Sequence, residues 1–282
     1  MRKYQTMNDY KIGLFDSGLG GLTILKAVTK ALPQYDYVFF GDTAHLPLGD
    51  KTEEEIFEYT RAGVEELFER DCALVIIACN TASAETMRRL QDTFLPQKYP
   101  DRRILGVIIP TVEELIESKS KKALLLATKR TVESGKYGRE LLKYGSDIEL
   151  HSVATPELVP LIESGKSAEA ANLAIKIIED QLNGIGEIDT VILGCTHYAK
   201  FKDDLRRAFP SAMPAQAGQT TSATLKILSQ DEIIPHKLAL YLLNHPEIES
   251  RLSRDSTRSI HLSVHRPDYD QIAADLLGGI IV

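Results

Sequence analysis

Short apolar runs alternate along the chain with longer stretches in which apolar residues recur at helical spacing. Continuous apolar runs are typical of strands buried on both faces, and strands that alternate with helices are typical of a parallel sheet covered on both sides. The runs predict strands at 11–15, 37–40, 74–78, 103–107, 123–127, 149–152 and 190–193. The amphipathic stretches predict helices at 52–70, 82–94, 112–118, 135–144, 156–164, 167–183, 201–209 and 268–277.

Local signals add detail to this α/β pattern. Thr52 followed by Glu55 forms a capping box, which predicts that a helix begins there. Residues 216–224 are small and polar, and we interpret them as a linker that returns the chain to the first half. Beyond this linker we expect a helical stretch at 238–243 and a late edge strand at 260–264.

The chain also carries a faint internal repeat. The strands that start at Lys11 and Lys122 are 111 residues apart, and Cys79 and Cys195, which both follow buried strands, are 116 residues apart. The similar offsets predict an α/β fold of two pseudo-symmetric domains, each a mostly parallel sheet flanked by helices, with the active site in the inter-domain cleft. We expect an N-terminal domain of residues 10–108 plus 214–282, and a second domain of residues 109–213.

Composition excludes several classes of partner. The 282 residues are 43% hydrophobic and 26% charged, with a net charge of −7 and no strong cluster of basic residues, which argues against nucleic acid and anionic membranes as partners. Neither a membrane span nor an apolar signal-peptide core is present in the sequence, so we expect a cytoplasmic protein. The three cysteines have no disulfide or zinc spacing, and we expect no metal; Cys72 opens a strand and is interpreted as a small buried hydrophobe.

Cys79 and Cys195 are the strongest candidates for chemistry. Each lies at the carboxyl end of a strand, where α/β folds bind ligands, and each precedes hydrogen-bonding residues. Two buried structural cysteines are the alternative. Two thiols could instead serve as opposed proton carriers, one as thiolate and one as thiol. His197 could assist the second thiol or be an ordinary loop histidine, and Glu157 could orient His197 or simply favour the first turn of its helix.

Two loops are candidate binding segments. Asp16 to Gly21 follows the first strand; Thr23 stands where a dinucleotide fingerprint needs glycine, so the alternatives are a plain turn or a small-molecule site with Asp16 as the charged partner. The loop from Gly41 to Gly49 is either ordinary or a nest of backbone N–H groups that binds a carboxylate near Leu48 and Gly49.

Several segments together resemble glutamate racemases, cofactor-independent members of the aspartate/glutamate racemase superfamily. They occur in family order at 15–21, 41–44, 78–82, 156–160 and 193–198, and the closing segment 261–278 is also similar to the family's last strand and helix. The resemblance implies interconversion of L- and D-glutamate without a cofactor, a supply of D-glutamate for peptidoglycan, glutamate as the small-molecule partner, and a homodimer.

The same resemblance implies roles for individual residues. Cys79 and Cys195 would be the catalytic acid/base thiols, one on each face of Cα, with Asp16, His197 and Glu157 as their polar helpers. The substrate would be held by a wider set: Asp16, Ser17, Pro47, Leu48, Gly49, Asn80, Thr81, Thr128, Thr131, Thr196 and His197.

The chain departs from the family pattern at three places near this set. Leu48 replaces a usual tyrosine, Lys129-Arg130 replaces a glycine-containing loop, and Thr111 replaces a common glycine. Leu48 and Arg130 keep open a racemase of aspartate or another amino acid. A non-catalytic relative that binds an acidic ligand or a protein partner is the third alternative, and retention of both thiols with Asp16, Glu157 and His197 argues against it.

Overall fold

The computed structural model describes residues 9–210 and 225–277. The chain divides into two compact units: unit 1 is Met1–Pro110 with Asp231–Val282, and unit 2 is Thr111–Gln230. The polar N-terminus (residues 1–8) and the predicted linker at 216–224 lie outside the described residues. Within the described residues, none of the helices has the length and hydrophobicity that a membrane crossing requires.

Both units are built on parallel sheets, as predicted, and every strand pairing among the described residues is parallel. The strands are β1 Lys11–Asp16, β2 Tyr37–Gly41, β3 Cys72–Ile77, β4 Arg103–Gly106, β5 Lys122–Ala127, β6 Glu149–Ala154, β7 Thr190–Gly194, β8 Lys226–Ser229 and β9 Arg258–Leu262.

Helices follow most of the strands and cover the sheets. They are α1 Leu22–Ala31, α2 Glu53–Glu69, α3 Asn80–Arg89, α4 Leu95–Lys98, α5 Ile108–Glu117, α6 Lys129–Glu133, α7 Lys136–Lys143, α8 Leu158–Glu163, α9 Ser167–Ile185, α10 Lys202–Ala208, α11 Gln230–Asn244, α12 Pro246–Glu249 and α13 Pro267–Leu277. The capping box is confirmed, because the Thr52 side chain accepts from Glu55 N–H while the Glu55 carboxylate accepts from Thr52 N–H.

The unit 1 sheet has the strand order β4-β3-β1-β2-β9. Helices α1, α11 and α13 pack on one face, and α2 and α3 on the other. The chain therefore leaves β1 and β3 toward opposite faces, and the carboxyl ends of these neighbouring strands form a topological switch point, which is the usual ligand position in open α/β sheets.

The unit 2 sheet repeats this plan with the order β6-β5-β7-β8. The chain moves outward from β5 to β6 and then returns to the other side of β5 as β7, so the switch point lies between β5 and β7. Since β5 corresponds to β1 and β7 to β3, Cys79 and Cys195 follow equivalent strands. The predicted pseudo-symmetry is present in the strand order.

The largest difference from the sequence-based expectation concerns the end of unit 2. Strand β8 pairs with β7, so unit 2 continues to Gln230, whereas the sequence analysis ends the second domain at residue 213. The strand has only two buried aliphatic residues, Ile227 and Leu228, between Lys226 and Ser229, which is too short a run for the strand pattern. The helix predicted at 238–243 begins earlier, at Gln230, and it contains Pro235 in its interior.

A half-buried carboxylate joins the amino ends of two unit 2 strands. Asp189 immediately precedes β7, and its carboxylate accepts from Lys121 N–H at 2.6 Å, Lys122 N–H at 3.0 Å, Ser120 Oγ at 2.5 Å and Thr190 Oγ1 at 2.7 Å. Burial alone would raise the pKa of Asp189, but these hydrogen bonds favour the charged form and lower it below its ordinary value. The carboxylate therefore anchors β5 to β7.

We expect Asp189→Asn to lower the free energy of unfolding by about 1–3 kcal/mol, because it removes a charged acceptor from several donors. The lowered pKa means that this stabilisation is fully present above the unfolded-state pKa and is lost as pH falls through the folded-state pKa. Urea unfolding at neutral and acidic pH measures both effects. Asp203→Asn, on an exposed helix turn, is the matched control; an equal loss in both variants would contradict the anchor.

Candidate active site

Cys79 lies at the switch point of unit 1. It follows β3, forms the N-cap position of α3, and is buried. Ala78 N–H donates to Phe15 O at 2.8 Å, which extends the β1–β3 pairing up to this point. The sequence places the thiol here because the run from Cys72 to Ile77 is apolar on both faces, while Asn80 begins a helix.

The carboxyl end of β1 supplies the neighbours of this thiol. Ser17 Oγ donates to Cys79 Sγ at 3.2 Å, and Gly18 N–H donates to Asp16 Oδ1 at 2.9 Å, which fixes the buried carboxylate. Gly21 has to be glycine, because a Cβ there would lie 2.8 Å from the Asp16 side chain. The glycine-rich loop thus brings the α1 backbone close to the carboxylate that precedes it.

Two further predicted residues, Asn80 and Thr81, occupy the first turn of α3 beside Cys79 and are both buried. The amino end of a helix carries partial positive charge, which favours a carboxylate or a thiolate at this position. The structure thus brings Asp16, Ser17, Cys79, Asn80 and Thr81 to one edge of the sheet.

The predicted carboxylate nest lies on a short 3₁₀ turn, Leu48–Asp50. The Leu48 side chain is buried in the same apolar cluster as Cys79, while Pro47 is exposed and Gly49 is half-buried. Leucine at the usual tyrosine position therefore adds to the core of this unit. The nest itself stays a prediction.

An interaction that the sequence analysis did not include holds the start of this loop. His45 Nδ1 lies 2.9 Å from both carboxylate oxygens of Asp42, and Ser263 Oγ donates to Asp42 Oδ1 at 2.9 Å. The His45 ring stacks on Tyr59, with ring centroids 3.7 Å apart. The loop is consequently tied both to α2 and to the segment after β9.

Cys195 lies at the switch point of unit 2, directly after β7, and is half-buried. His197 Nδ1 is 3.8 Å from Cys195 Sγ, within the range of a hydrogen bond to sulfur. On the other side of the ring, Glu163 Oε1 lies 3.2 Å from His197 Nε2, within ion-pair distance but outside the geometry of a hydrogen bond. The three side chains form a row of thiol, imidazole and carboxylate.

The electrostatics of this row favour a charged imidazole. Burial would lower the pKa of His197, but its contacts with Cys195 Sγ and with the Glu163 carboxylate raise it to about 10. A cation in contact with a thiol stabilises the thiolate. The row can therefore hold a proton beside the sulfur, which is what a thiol acid/base requires.

The carboxylate beside His197 is not the one named from the sequence. Glu157 lies on the exposed start of α8, whereas Glu163, the last residue of that helix, approaches the imidazole. One signal in the sequence could have indicated Glu163. A negative charge in the last turn of a helix opposes the helix dipole, and local conflicts of this kind concentrate at functional sites.

The threonines predicted for unit 2 lie at the same sheet edge. Thr128, directly after β5, accepts from Thr131 N–H at 3.3 Å and donates to Thr131 Oγ1 at 2.9 Å, so it caps α6. Thr196 is buried in the turn after Cys195.

By contrast, Cys72 lies in the apolar core, and burial raises the pKa of its thiol to about 12, which confirms its interpretation as a buried hydrophobe.

Comparison with known proteins assigns the family. A sequence model of Asp/Glu/hydantoin racemases matches residues 23–226. The curated glutamate racemase of Dinoroseobacter shibae is 35% identical over 248 residues, which cover 84% of this chain and 85% of that protein. The chain belongs to the Asp/Glu/hydantoin racemase family. It is accordingly an isomerase.

Other relatives of this racemase agree in sequence and fold. The glutamate racemase of Paracoccus denitrificans is 36% identical over 248 residues, covering 84% of this chain and 86% of the relative. The solved structure of the Aquifex pyrophilus glutamate racemase is 31% identical, covers 95% of each chain and superposes with a TM-score of 0.70. The predicted two-domain α/β fold is therefore confirmed.

We expect His197 to stay protonated between about pH 6 and 8, where an ordinary histidine loses its proton. Histidine imidazole NMR across a pH titration measures this. Because the pKa is raised, to about 10, charged His197 stabilises the fold fully below the unfolded-state pKa, and this contribution is lost as pH rises through the folded-state value. Glu163→Gln should lower the pKa of His197. Titration of His197 near its ordinary value in the wild type would contradict the charged row.

Proposed function

We propose that this chain is a glutamate racemase that interconverts L- and D-glutamate by transferring protons through Cys79 and Cys195. The observation that carries the proposal is the equivalence of the two thiols. Each follows the topologically equivalent strand of its own sheet, β3 or β7, at a topological switch point. Each also contacts a hydrogen-bonding side chain, which is Ser17 Oγ in unit 1 and His197 Nδ1 in unit 2. The names of the curated relatives support glutamate as the substrate.

The reaction needs a base on one face of Cα and an acid on the other. One cysteine, as thiolate, removes the Cα proton and becomes a thiol, and the electron pair of the broken C–H bond remains on a carbanion-like species. The opposite cysteine, as thiol, gives its proton to the other face and becomes a thiolate. The product then has inverted configuration, and the reverse reaction uses the same groups with exchanged roles.

The neighbours of each thiol assist this exchange. In unit 2, the His197 imidazolium favours the thiolate of Cys195, and the Glu163 carboxylate holds the imidazolium in place. In unit 1, Asp16 is fixed by Gly18 N–H and has the charge that suits the substrate ammonium group. Glu157 keeps the role of a polar helper in this proposal. It lies at the amino end of α8 and does not contact the imidazole.

The substrate carboxylates require donors. Asn80 and Thr81 at the amino end of α3, and Thr196 in the turn after Cys195, suit this role, and hydrogen bonds to the α-carboxylate stabilise charge that develops at Cα. The remaining candidates are Ser17, Thr128, Thr131 and the segment from Pro47 to Gly49, in which Leu48 and Gly49 have backbone N–H groups.

The proposal extends to the cellular setting. We infer a cytoplasmic homodimer whose D-glutamate serves peptidoglycan synthesis. A racemase of aspartate or another amino acid is the second candidate, because Leu48 lacks the tyrosine hydroxyl and Arg130 adds a cation beside Thr128 and Thr131.

In D2O, the wild-type protein should replace the Cα proton of L-glutamate with deuterium while the circular dichroism of the amino acid decays. Proton NMR and circular dichroism measure the two processes on one sample, under reducing conditions that protect the thiols. L-aspartate is the parallel substrate. Exchange with aspartate alone would move the assignment to the second candidate, and exchange with neither would support a non-catalytic binding protein.

Cys79→Ser and Cys195→Ser should each lower racemisation by roughly 10²- to 10⁴-fold, because each removes one of two acid/base groups. Far-UV circular dichroism should show an intact fold in both. Cys72→Ala is the matched control, since this third thiol lies in the core, and it should retain turnover. Near-full turnover in either serine variant would refute the scheme with two thiols.

A further inference from the structure

A buried tyrosine lies directly beside the unit 2 thiol site. Tyr198 follows His197 and is completely buried. Its hydroxyl lies 2.7 Å from Thr155 Oγ1 and 3.2 Å from Thr155 O, and Thr155 Oγ1 in turn donates to Ala127 O at 3.1 Å. The hydroxyl groups of Tyr198 and Thr155 thus form hydrogen bonds with each other and with the carbonyl oxygens of Thr155 and Ala127.

This network joins the carboxyl ends of three strands. Ala127 is the last residue of β5, Thr155 directly follows β6, and Tyr198 lies in the turn after β7. Tyr198 N–H also donates to Cys195 O at 3.1 Å, which closes the turn that carries the thiol. From Thr155 the chain enters α8, whose last residue is Glu163. The network therefore connects the turn of Cys195 and His197 to the helix of Glu163.

Packing alone does not account for the hydroxyl. The Tyr198 ring stacks on Phe201 at a centroid distance of 5.3 Å within the apolar core, and phenylalanine would fill the same space. A buried polar network stabilises the fold only when all its donors and acceptors are paired, because an unpaired buried polar group is costly. Such a network therefore requires a defined geometry. A network in this place specifies how the three strand ends are held.

We propose that Tyr198, acting through Thr155, is a positioning residue that holds the Cys195–His197 turn at the correct distance from Glu163. The inference rests on the proposed function, in which the row of thiol, imidazole and carboxylate moves the proton. If the hydroxyl is removed, the turn loses its fixed point while the candidate substrate-binding residues outside this turn stay in place.

The charges around the hydroxyl suit this role. Burial raises the pKa of Tyr198, and the negative charge of a Cys195 thiolate and of Glu157 raises it further. The hydroxyl therefore stays protonated and neutral whichever state Cys195 adopts. Tyr137 also interacts electrostatically with Cys195, and Glu163 is a charged neighbour of His197.

Tyr198→Phe should lower kcat about ten- to a hundredfold with little change in KM, because misplacement of a reacting group slows chemistry more than binding. Kinetic isotope effects with Cα-deuterated D- and L-glutamate give a readout that lost stability would not change. Slowing the Cys195 step raises the effect for the enantiomer whose deuteron Cys195 removes, and lowers it for the other. Opposite shifts are the expected result; unchanged isotope effects would overturn the proposal.

Three variants serve as controls. Tyr37→Phe removes a buried hydroxyl that donates to Leu32 O at 2.8 Å in unit 1, and it should leave both isotope effects at the wild-type values. Thr155→Val should reproduce the Tyr198→Phe signature, and Thr155→Ser, which keeps the hydroxyl, should restore the wild-type values. A Thr155→Val variant with wild-type kinetics would also overturn the proposal.

A second measurement is independent of glutamate. In Tyr198→Phe, alkylation of Cys195 by iodoacetamide at neutral pH should slow severalfold relative to the wild type, because His197 no longer stabilises the thiolate, while alkylation of Cys79 keeps its rate. Peptide mass spectrometry quantifies both sites. If the wild type fails to exchange the Cα proton, the proposed function fails, and the alkylation rates still judge the positioning role. An unchanged Cys195 rate would refute it.

Discussion

The arrangement of the candidate site depends on one topological constraint, which is the reversal of strand order beside the first strand of each sheet. In unit 1 the reversal lies between the paired strands β1 and β3, and in unit 2 it lies between the paired strands β5 and β7. In unit 1, helices α1 and α3 leave the paired strands toward opposite faces, which opens a crevice at the carboxyl ends of these strands. Cys79 and Cys195 follow the equivalent strands at this edge.

The two thiols are equivalent in topology and different in surroundings. Ser17 donates a hydroxyl hydrogen bond to Cys79, and a hydroxyl is neutral at physiological pH. Cys195 instead contacts His197, whose pKa is raised to about 10 by its contacts with the thiol and with Glu163. Two-base racemisation requires one thiolate and one thiol at the start of each turnover. The unit 2 thiol thus has a cationic neighbour, whereas the unit 1 thiol has a neutral one.

The sequence predicts the parts of this arrangement that local patterns encode. Apolar runs identify most strands, and the offset between Cys79 and Cys195 indicates the pseudo-symmetry. Strand β8 escapes prediction because its two aliphatic residues acquire a strand conformation only through pairing with β7. The choice between Glu157 and Glu163 also escapes, since it depends on which end of α8 the tertiary fold brings to His197.

Polar groups at opposite ends of the strands have different surroundings, and this difference separates structural roles from proposed functional ones. At the amino ends, Asp36 and Asp189 accept from several backbone N–H groups, and their pKa values are lowered. Such carboxylates are satisfied by the fold itself. At the carboxyl ends, His197 and Glu163 rely on one another, with Glu163 opposing the dipole of its own helix. Local conflicts of this kind are expected where chemistry takes place, which supports the carboxyl edge of unit 2 as the place of the proposed reaction.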